Sequence, residues 1–397
     1  MKSDWTTARL DECAEIVSGA TPRTSVGSYW NGDVCWATPK DLNELDGAYI
    51  SDTPRKLTRA GLENCAATIL PAGSVLFSSR APIGYVAVNT VPMATNQGFK
   101  SFVPNRERTE PKFLYWWLRT NRSFLESLGN GATFKEVSKA TVSRVEIPLP
   151  PLAEQRRIAD LLDRAEALRA KRRTTLAQLD SLTQFIFLDL FGDPAINPKG
   201  WPLKAIGDLA VKFSDGPFGS NLKTEHYTGT GVRVVRLQNI GVGEFIDDDV
   251  AYVSEDHFAR LKKHECLPGD VLVGTLGDPN LRACIQPNWL PVALNKADCV
   301  QLRSNEHVAN AAFICSLLNQ TATERMAQAL MLGQTRVRIS MGRLRGLQVP
   351  VPPINLQREF ARRVEAVEKL KDAQRASLAE LDALFASLQH RAFRGEL

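Results

Sequence analysis

One signal occurs twice in this 397-residue chain, and it constrains the architecture more than any other feature. Residues 145–158 read VEIPLPPLAEQRRI, and residues 347–360, 202 positions later, read LQVPVPPINLQREF. Each copy is a short β-like run, a Pro-x-Pro-Pro segment and the start of a long charged segment. Because proline is tolerated in the first turn of a helix but disfavours helix in the residue before it, each copy predicts an abrupt helix start.

The segments that follow, residues 152–191 and 354–393, have the spacing of coiled-coil helices. Apolar residues recur three and four positions apart, and charged residues occupy the outer positions. The predicted apolar seam is Ile158, Leu161, Ala165, Leu168, Leu179, Leu182 and Ile186 in the first helix and Phe360, Val364, Val367, Leu378, Leu381, Phe385 and Leu388 in the second. Polar residues interrupt it near Arg172 and Lys371. This interruption fits a register-fixing or partner-binding segment, and it fits a locally weak seam equally well.

The repeat extends to the segments that precede the helices. LPAGSVLF at 70–77 resembles LPGDVLV at 267–273, and Gly131-x-Thr133 matches Gly333-x-Thr335. Strands are predicted at 34–36, 74–77, 85–88, 232–237, 271–273 and 299–302, and helical stretches at 112–128 and 308–332. The predicted fold class is therefore α+β, with similar globular domains at 1–151 and 192–353 that alternate with helical regions at 152–191 and 354–397.

Cysteine usage and hydropathy indicate the compartment. The seven cysteines are widely spaced and contain no C-x-x-C pair, which argues against a disulfide framework or a zinc ribbon. The first residues, MKSDWTTARLDEC, carry charges where a signal peptide has an apolar segment. No run approaches the roughly 18 apolar residues of a membrane span. We expect a cytoplasmic protein with no membrane partner.

The sequence offers little catalytic chemistry. It contains no dinucleotide-binding G-x-G-x-x-G, no P-loop and no H-E-x-x-H motif. The clusters that come closest to a catalytic or metal site are Asp278-Pro279-Asn280, Glu110-Pro111-Lys112, Asp247-Asp248-Asp249, and the group His257, His264 and Cys266. None has the full pattern of a methyltransferase, nuclease or metal site, and the aspartate run is more typical of a solvated turn. We expect a chain without catalytic or metal-binding residues.

Polyanion binding is the chemistry that remains. Residues 325–358 contain six arginines and no acidic residue, in a chain whose net charge is only +5. Arginine forks suit phosphates and guanine edges, and Asn, Gln and Lys also read bases. Such residues are common in any surface loop, so a solvated surface is the alternative interpretation.

These features together resemble the specificity subunit of a type I restriction–modification enzyme over essentially the whole chain. The resemblance rests on the two proline motifs with their helices. It also rests on SGATPRTSVGSYWNGDVCWATPKDL, on LPAGSVLFSSRAPIG with NQGF, and on DGPFGSNLKTEHY with GVRVVRLQNI and LPGDVL.

The resemblance implies a function and a set of partners. Two target recognition domains would each read one half of a bipartite, asymmetric site in double-stranded DNA. The helices would form an antiparallel coiled coil that sets the gap between the half-sites. One copy of the chain would dock two methyltransferase subunits, and restriction subunits would join. No cofactor is expected on this chain, since S-adenosylmethionine and ATP would be bound by those partners.

Transferred onto this chain, the resemblance implies two sets of site residues. The candidate DNA-contacting residues are Arg23, Lys40, Arg80, Asn96, Gln97 and Lys135 in the first domain and Asn221, Lys223, Arg236, Gln238, Asn239, Lys296, Arg336 and Arg338 in the second. The candidate partner-interface residues are Leu161, Leu168, Leu179, Val367 and Leu381.

The chain departs from the family pattern in one place, and two other functions are also compatible with its sequence. The second proline motif lacks the Leu-x-Glu-Gln form of the first, so the helices are expected to dock their partners with unequal strength. A coiled-coil scaffold with repeated protein-binding domains is one alternative function. A self-contained methyltransferase or nuclease is the other, and the missing motifs count against it.

Overall fold

The structure, a computed structural model, describes residues 5–131, 135–332 and 337–397. It divides into two compact units, which we call unit 1 (Met1–Arg173 with Ser377–Leu397) and unit 2 (Thr174–Ala376). Both boundaries fall inside long helices. Each unit therefore combines one globular part with one portion of each long helix.

The two long helices are present where the sequence predicts them. The described helices are α1 (Leu10–Cys13), α2 (Pro39–Asn43), α3 (Arg59–Glu63), α4 (Pro111–Thr120), α5 (Arg122–Ser127), α6 (Lys139–Ser143), α7 (Leu152–Phe191), α8 (Glu255–Arg260), α9 (Ala311–Leu318), α10 (Thr321–Gln328), α11 (Met341–Arg345) and α12 (Ile354–Ala392). The predicted stretches 112–128 and 308–332 are each broken into two helices, and the second stretch ends in a short strand. No described helix is long and apolar enough to cross a membrane.

The described strands of unit 1 form three sheets. Its strands are β1 (Thr6–Arg9), β2 (Ala14–Ser18), β3 (Trp30–Ala37), β4 (Tyr49–Ile50), β5 (Lys56–Leu57), β6 (Val75–Ser79), β7 (Ile83–Asn89), β8 (Met93–Thr95), β9 (Lys100–Pro104) and β10 (Glu146–Leu149). They are ordered β2-β9-β6-β7-β4, β5-β3-β8 and β1-β10. In the three-stranded sheet β3 pairs with β8 in parallel, with Trp36 opposite Ala94.

Unit 2 repeats this plan. Its strands are β11 (Leu203–Ala205), β12 (Ala210–Asp215), β13 (Tyr227–Thr228), β14 (Val232–Val235), β15 (Tyr252–Val253), β16 (Glu265–Cys266), β17 (Val271–Gly274), β18 (Arg282–Ile285), β19 (Ala293–Asn295), β20 (Cys299–Ser304), β21 (Met331–Leu332), β22 (Arg338–Ile339) and β23 (Gln348–Pro350). The order β12-β20-β17-β18 repeats β2-β9-β6-β7, and β15-β14-β19 repeats β5-β3-β8 with the same parallel pair. The predicted α+β class and internal repeat are confirmed.

A buried glutamine joins each globular part to the long helix that follows it. Gln155, in the first turn of α7, is fully buried. Its Oε1 accepts from Glu110 N at 2.8 Å, and its Nε2 donates to Arg108 O and Pro150 O, both at 2.8 Å. One side chain thus satisfies three backbone groups that would otherwise be buried without partners.

The second proline motif contains the same device. Gln357 is fully buried in α12, accepts from Asn310 N at 2.9 Å, and donates to Pro352 O at 2.8 Å and Val308 O at 3.2 Å. The second copy therefore retains the glutamine that matters structurally. It differs at the preceding position, where Glu154 pairs with Arg157 and Leu356 instead packs against the core of unit 2.

The core of unit 1 is completed by the start of α7 and the end of α12. Ile158 and Leu162 of α7 are fully buried in the same cluster as Phe385 and Ala392 of α12. The ring of Phe385 lies edge-on to Trp116 of α4, with 5.7 Å between centroids. Because the start of one helix lies beside the end of the other, the helices are antiparallel within this unit.

The core of unit 2 is completed in the same way by the end of α7 and the start of α12. Four phenylalanine rings meet in its core: Phe187 and Phe191 from the end of α7, Phe360 from the start of α12, and Phe313 from α9. Their centroid separations run from 5.0 to 5.9 Å. Such aromatic pairs stabilise the fold beyond the area that they bury. The helices are antiparallel in this unit as well.

The predicted seam is correct in α12 and partly wrong in α7. Val367 and Phe385 are buried, and Leu381 is half-buried. In α7 the fully buried leucine is Leu162 rather than Leu161, and Leu168 is 55% exposed. The first turns of α7 pack on the globular core as well as on α12, and this second contact shifts the buried face.

Ion pairs occupy the polar part of the seam. In unit 2 the Lys371 side chain is nearly buried, and its Nζ lies 2.9 Å from Asp180 and 2.7 Å from Glu368. Burial opposes the charge, but the two carboxylates outweigh it and raise the lysine pKa. In unit 1 Arg169 contacts Asp382 at 2.6 Å. These cross-helix pairs favour the register-fixing interpretation of the polar interruption.

The buried glutamine of α7 gives the first test. Gln155→Leu leaves three backbone groups unpaired, so we expect the unfolding free energy of unit 1 to fall by about 3 kcal/mol. Urea unfolding followed by tryptophan fluorescence measures this, since five of the seven tryptophans precede residue 152. Gln178→Leu, at an exposed position of α7, is the matched control and should change stability little. Equal stability of the two variants would contradict this role for Gln155.

Candidate nucleic-acid interface

Three loops of unit 1 meet where its sheets adjoin. Asn96 N donates to Ala37 O at 3.0 Å, Ala20 N donates to Thr95 O at 2.9 Å, and Ser79 N donates to Gly98 O at 2.7 Å. The loop after β2, the end of β3 and the β8–β9 turn are therefore held in contact. A Cβ at Gly19 would collide with the backbone of this turn, so the approach requires glycine.

These loops bring several candidate residues of unit 1 together. Asn96 and Gln97 lie in the β8–β9 turn, and Gln97 is bonded to Thr21, two residues before the exposed Arg23. Lys40 lies in α2, directly after the end of β3. It is largely exposed and 3.6 Å from Glu44. The Asn96 Oδ1 accepts from Gly98 N at 2.9 Å, so its amide NH₂ is the part left for a ligand.

Arg80 and Lys135 lie on the adjacent segment of the same surface. Arg80 forms an isolated β-bridge with Glu136, and its guanidinium is 3.8 Å from that carboxylate. The nearly buried Lys100 contacts the same carboxylate at 3.2 Å. Lys135 is exposed. Any phosphate that reaches Arg80 has to compete with Glu136 for the guanidinium.

In unit 2 equivalent loops meet in the same way, and we call this meeting point of three loops in each unit the junction. Lys296 N donates to Val235 O at 3.0 Å, and Thr275 N donates to Asp298 O at 3.1 Å. Gly216 lies against the backbone of Lys296, as Gly19 does against that of Asn96. Lys296 therefore occupies the place that Asn96 has in unit 1.

Asn221 and Lys223 lie on an exposed loop after β12. The Asn221 side chain donates to Phe218 O at 3.1 Å, and Lys223 is 3.6 Å from Glu225. The loop is anchored by His257, whose Nε2 lies 2.9 Å from Asn221 O, and the rings of His226 and His257 stack at 4.2 Å. Both candidates are accessible and held in place by backbone contacts.

The three candidates that follow β14 differ in burial and in bonding. Gln238 is exposed, and Arg236 is half-buried and ion-paired with Asp249. Asn239 is fully buried. Its Oδ1 accepts from Arg236 N at 2.9 Å, and its Nδ2 donates to Ile246 O and Asp249 O. The amide of Asn239 thus caps a turn and is used within the chain, which argues against the expectation that it contacts DNA.

Arg338 lies on β22, beside the β19–β20 turn. Its Nη1 is 3.3 Å from Asp298 Oδ1, and both residues line a cleft of about 200 Å³ with Phe218 and Met341. Phe218 is 47% exposed. Arg336, the remaining candidate, lies outside the described residues.

The other polar clusters of the sequence have structural partners. Asp247 and Asp249 pair with Arg233 and Arg236. The remaining contacts are Glu110 with Arg156, Lys112 with Asp163 at 2.8 Å, and His264 with Asp215 O at 2.6 Å. Among the described residues, no group of three side chains is arranged to hold a metal ion.

Sequence reasoning missed an arginine that is stacked on tryptophan. The Arg55 guanidinium lies 4.0 Å from the ring centroid of Trp30 and 4.8 Å from that of Trp36. Trp36 Nε1 donates to Ala20 O at 3.0 Å, so this stack adjoins the loop that carries Arg23. Nothing in the local sequence marks the pair, since Trp30 and Arg55 are 25 positions apart, with a helix and a short strand between β3 and Arg55.

Comparison with known proteins agrees with this architecture. Residues 2–180 match the type I restriction modification DNA specificity domain family. The MjaIX specificity subunit of Methanocaldococcus jannaschii is 34% identical over 263 residues, which are 62% of this chain and 60% of that protein. The StySPI specificity subunit of Salmonella potsdam is 22% identical over 99% of this chain and 89% of its own length.

Solved structures share the fold over the full chain. A chain of a type I restriction–modification system, described for its complex assembly and conformational transition, aligns with a TM-score of 0.64 at 20% identity. The alignment covers 100% of this chain and 99% of that one. The S subunit from M. genitalium aligns with a TM-score of 0.56 at 16% identity over 98% of this chain and 96% of its own.

The repeated units and paired helices thus define the fold of a type I restriction–modification S subunit. Residues 2–180 match the DNA specificity domain family, and the chain is similar to the named specificity subunits over much of its length. The resemblance stated from the sequence is confirmed. These relatives are named for specificity rather than for a methyltransferase or nuclease activity, which agrees with a non-catalytic chain.

Gln238 and Asn239 provide a matched pair for testing the site. Asn239→Ala removes three internal hydrogen bonds, so we expect unit 2 to lose about 2 kcal/mol of unfolding free energy. Gln238→Ala changes an exposed side chain and should stay within about 0.5 kcal/mol of the native chain. Chemical denaturation of both variants, followed by circular dichroism, measures the difference. Similar stabilities would show that the buried amide is dispensable.

Proposed function

We propose that the chain is the DNA-recognition subunit of a type I restriction–modification complex and that each unit reads one half of a bipartite, asymmetric site. The observation that carries this proposal is the repeated junction. Both units place exposed Arg, Lys, Asn or Gln side chains on equivalent loops, above equivalent parallel strands. Side chains of these types can make bidentate contacts with base edges in the major groove.

The junctions suit selective recognition better than general attraction to DNA. The net charge is only +5 over the whole chain, and several of the candidate cations already contact carboxylates. Non-specific binding depends on the number of phosphates neutralised, so such a surface gains little from charge alone. Affinity then depends on hydrogen bonds that only the correct bases complete.

The long helices are the proposed docking surface for two methyltransferase subunits, with restriction subunits joining them around one copy of this chain. In unit 1, Leu168 and Leu384 expose more than half of their surface on α7 and α12. In unit 2, Phe185 of α7 is 66% exposed and Leu370 of α12 is 53% exposed. Exposed apolar side chains on otherwise charged helices fit a protein partner. S-adenosylmethionine and ATP would then be bound by the partner subunits.

Methylome sequencing tests the recognition function. Expressed with the methyltransferase subunits of its system, the chain is expected to direct adenine methylation to one split sequence, and without it no such motif should appear. Replacing residues 200–346 with the corresponding segment of another specificity subunit should change one half-site and leave the other intact. Methylation with no split motif would refute the proposal, and a change in both half-sites would refute the division of labour.

The helices are further proposed to set the gap between the half-sites. One heptad inserted after Arg173 in α7 and one after Ala376 in α12 would lengthen both helices by about 10 Å and preserve their hydrophobic repeat. We expect the preferred gap to grow by about three base pairs, given a rise of about 3.4 Å per pair, while both half-sites stay the same. Binding to duplexes of graded gap length measures this. An unchanged gap would exclude the ruler role.

A further inference from the structure

We propose that Arg55 is a specificity-determining residue that reads a guanine in the half-site of unit 1, with Trp30 and Trp36 as its positioning residues. This inference rests on the proposed DNA-recognition function and deepens it. Three observations support it: the geometry of the stack, an equivalent arrangement in unit 2, and the place of both stacks at the loop junctions.

The stack fixes the guanidinium without using its hydrogen bonds. Trp30 and Trp36 meet edge to face with 5.1 Å between their centroids, and Arg55 lies within 5 Å of both rings. Among the described residues no carboxylate forms an ion pair with Arg55, although the neighbouring Lys56 and Arg59 each have one. A cation over an aromatic ring is attracted by the electrons of the ring face. This contact uses none of the N–H donors of the guanidinium, so they stay available for a ligand.

Unit 2 also places a cation over an aromatic ring at the equivalent position, but the cation comes from different segments of the chain. Tyr227, like Trp30, is the first residue of its strand after a 3₁₀ turn, and the strand that pairs with it is equivalent in the two units. The cations over its ring are Arg236 at 5.9 Å and Lys296 at 5.7 Å. These two residues already belong to the candidate interface. The aromatic platform is thus part of the junction in unit 2, and its counterpart in unit 1 carries Arg55.

The chemistry of a held guanidinium points to guanine. A planar fork donates two parallel hydrogen bonds, and guanine presents two acceptors, N7 and O6, in the major groove. The stack restricts the arginine side chain before binding, so less conformational entropy is lost on contact. In unit 2 the stacked Arg236 is instead paired with Asp249, which leaves Lys296 as the cation without a carboxylate partner among the described residues. The two platforms therefore predict different readout in the two half-sites.

Arg55→Ala and Arg55→Lys test the inference in the full chain bound to its methyltransferase partners. Selection from a random double-stranded DNA library gives the preferred sequence, and titration of the native site gives the affinity. We expect both variants to lose the preference for one guanine of the unit 1 half-site and to bind the native site roughly 5- to 150-fold more weakly. The half-site of unit 2 should stay unchanged. Lysine retains the charge but lacks the fork, so it should not restore the guanine preference.

Arg59→Ala is the matched control, because Arg59 is an exposed arginine four residues away. Among the residues that the structure describes, its ion pair is with Glu63 and it lies over no aromatic ring. It should leave the selected sequence unchanged. A uniform loss of affinity that lysine restores would mean a phosphate contact and would overturn the inference. An unchanged motif with Arg55→Ala, or a unit 1 half-site that contains no guanine on either strand, would overturn it as well. If the native chain selects no split motif at all, the proposed function fails instead.

Discussion

The structure depends on the closure of each globular core by two helix ends that are distant in sequence. In unit 1 the core that residues 5–149 begin is completed by Phe385 and Ala392 of α12, more than 200 positions later. In unit 2 the corresponding residues are Phe187 and Phe191 of α7. Unit 1 is therefore not a contiguous stretch of chain, whereas unit 2 runs from Thr174 to Ala376 and takes its closing residues from both of its ends. The stability of each unit depends on the antiparallel packing of the helix portions that it contains.

The duplicated proline motif gains its meaning from this closure. The proline segment ends a strand that pairs with the first strand of each unit, and the glutamine that follows bonds to the backbone of the segment before α4 or α9. The direction in which each long helix leaves its unit is thus fixed by hydrogen bonds as well as by packing. A buried amide that must satisfy three backbone groups tolerates little displacement. Such a joint suits a helix that has to hold a recognition surface in one position.

The sequence alone predicted the features that depend on local pattern and on repetition: the fold class, the two long helices and the equivalence of the units. It predicted the buried face of α7 poorly, because Leu162 packs on α4 and its surroundings and not only on another helix. Asn239 was predicted to read a base because asparagine often does so. Asparagine also caps turns, and only the fold shows which role its amide has. Arg55 could not be found, since stacking between residues 25 positions apart leaves no motif.

The two junctions also show how one backbone supports different charge arrangements. In unit 1 the cation Arg80 follows β6 and the acid Glu136 lies on the segment before α6; in unit 2 the equivalent segment before α11 carries the cation Arg338, and its partner Asp298 lies in the β19–β20 turn. Arg338 takes the place of Glu136, since each forms a bridge with the segment after the equivalent strand, Leu276 in unit 2 and Arg80 in unit 1. The acid of unit 2 comes from a different loop, so an ion pair holds this segment in both units although its partners differ. Under the proposed function, readout would fall to the side chains that carry no such partner, because these can vary without disturbing the backbone that presents them.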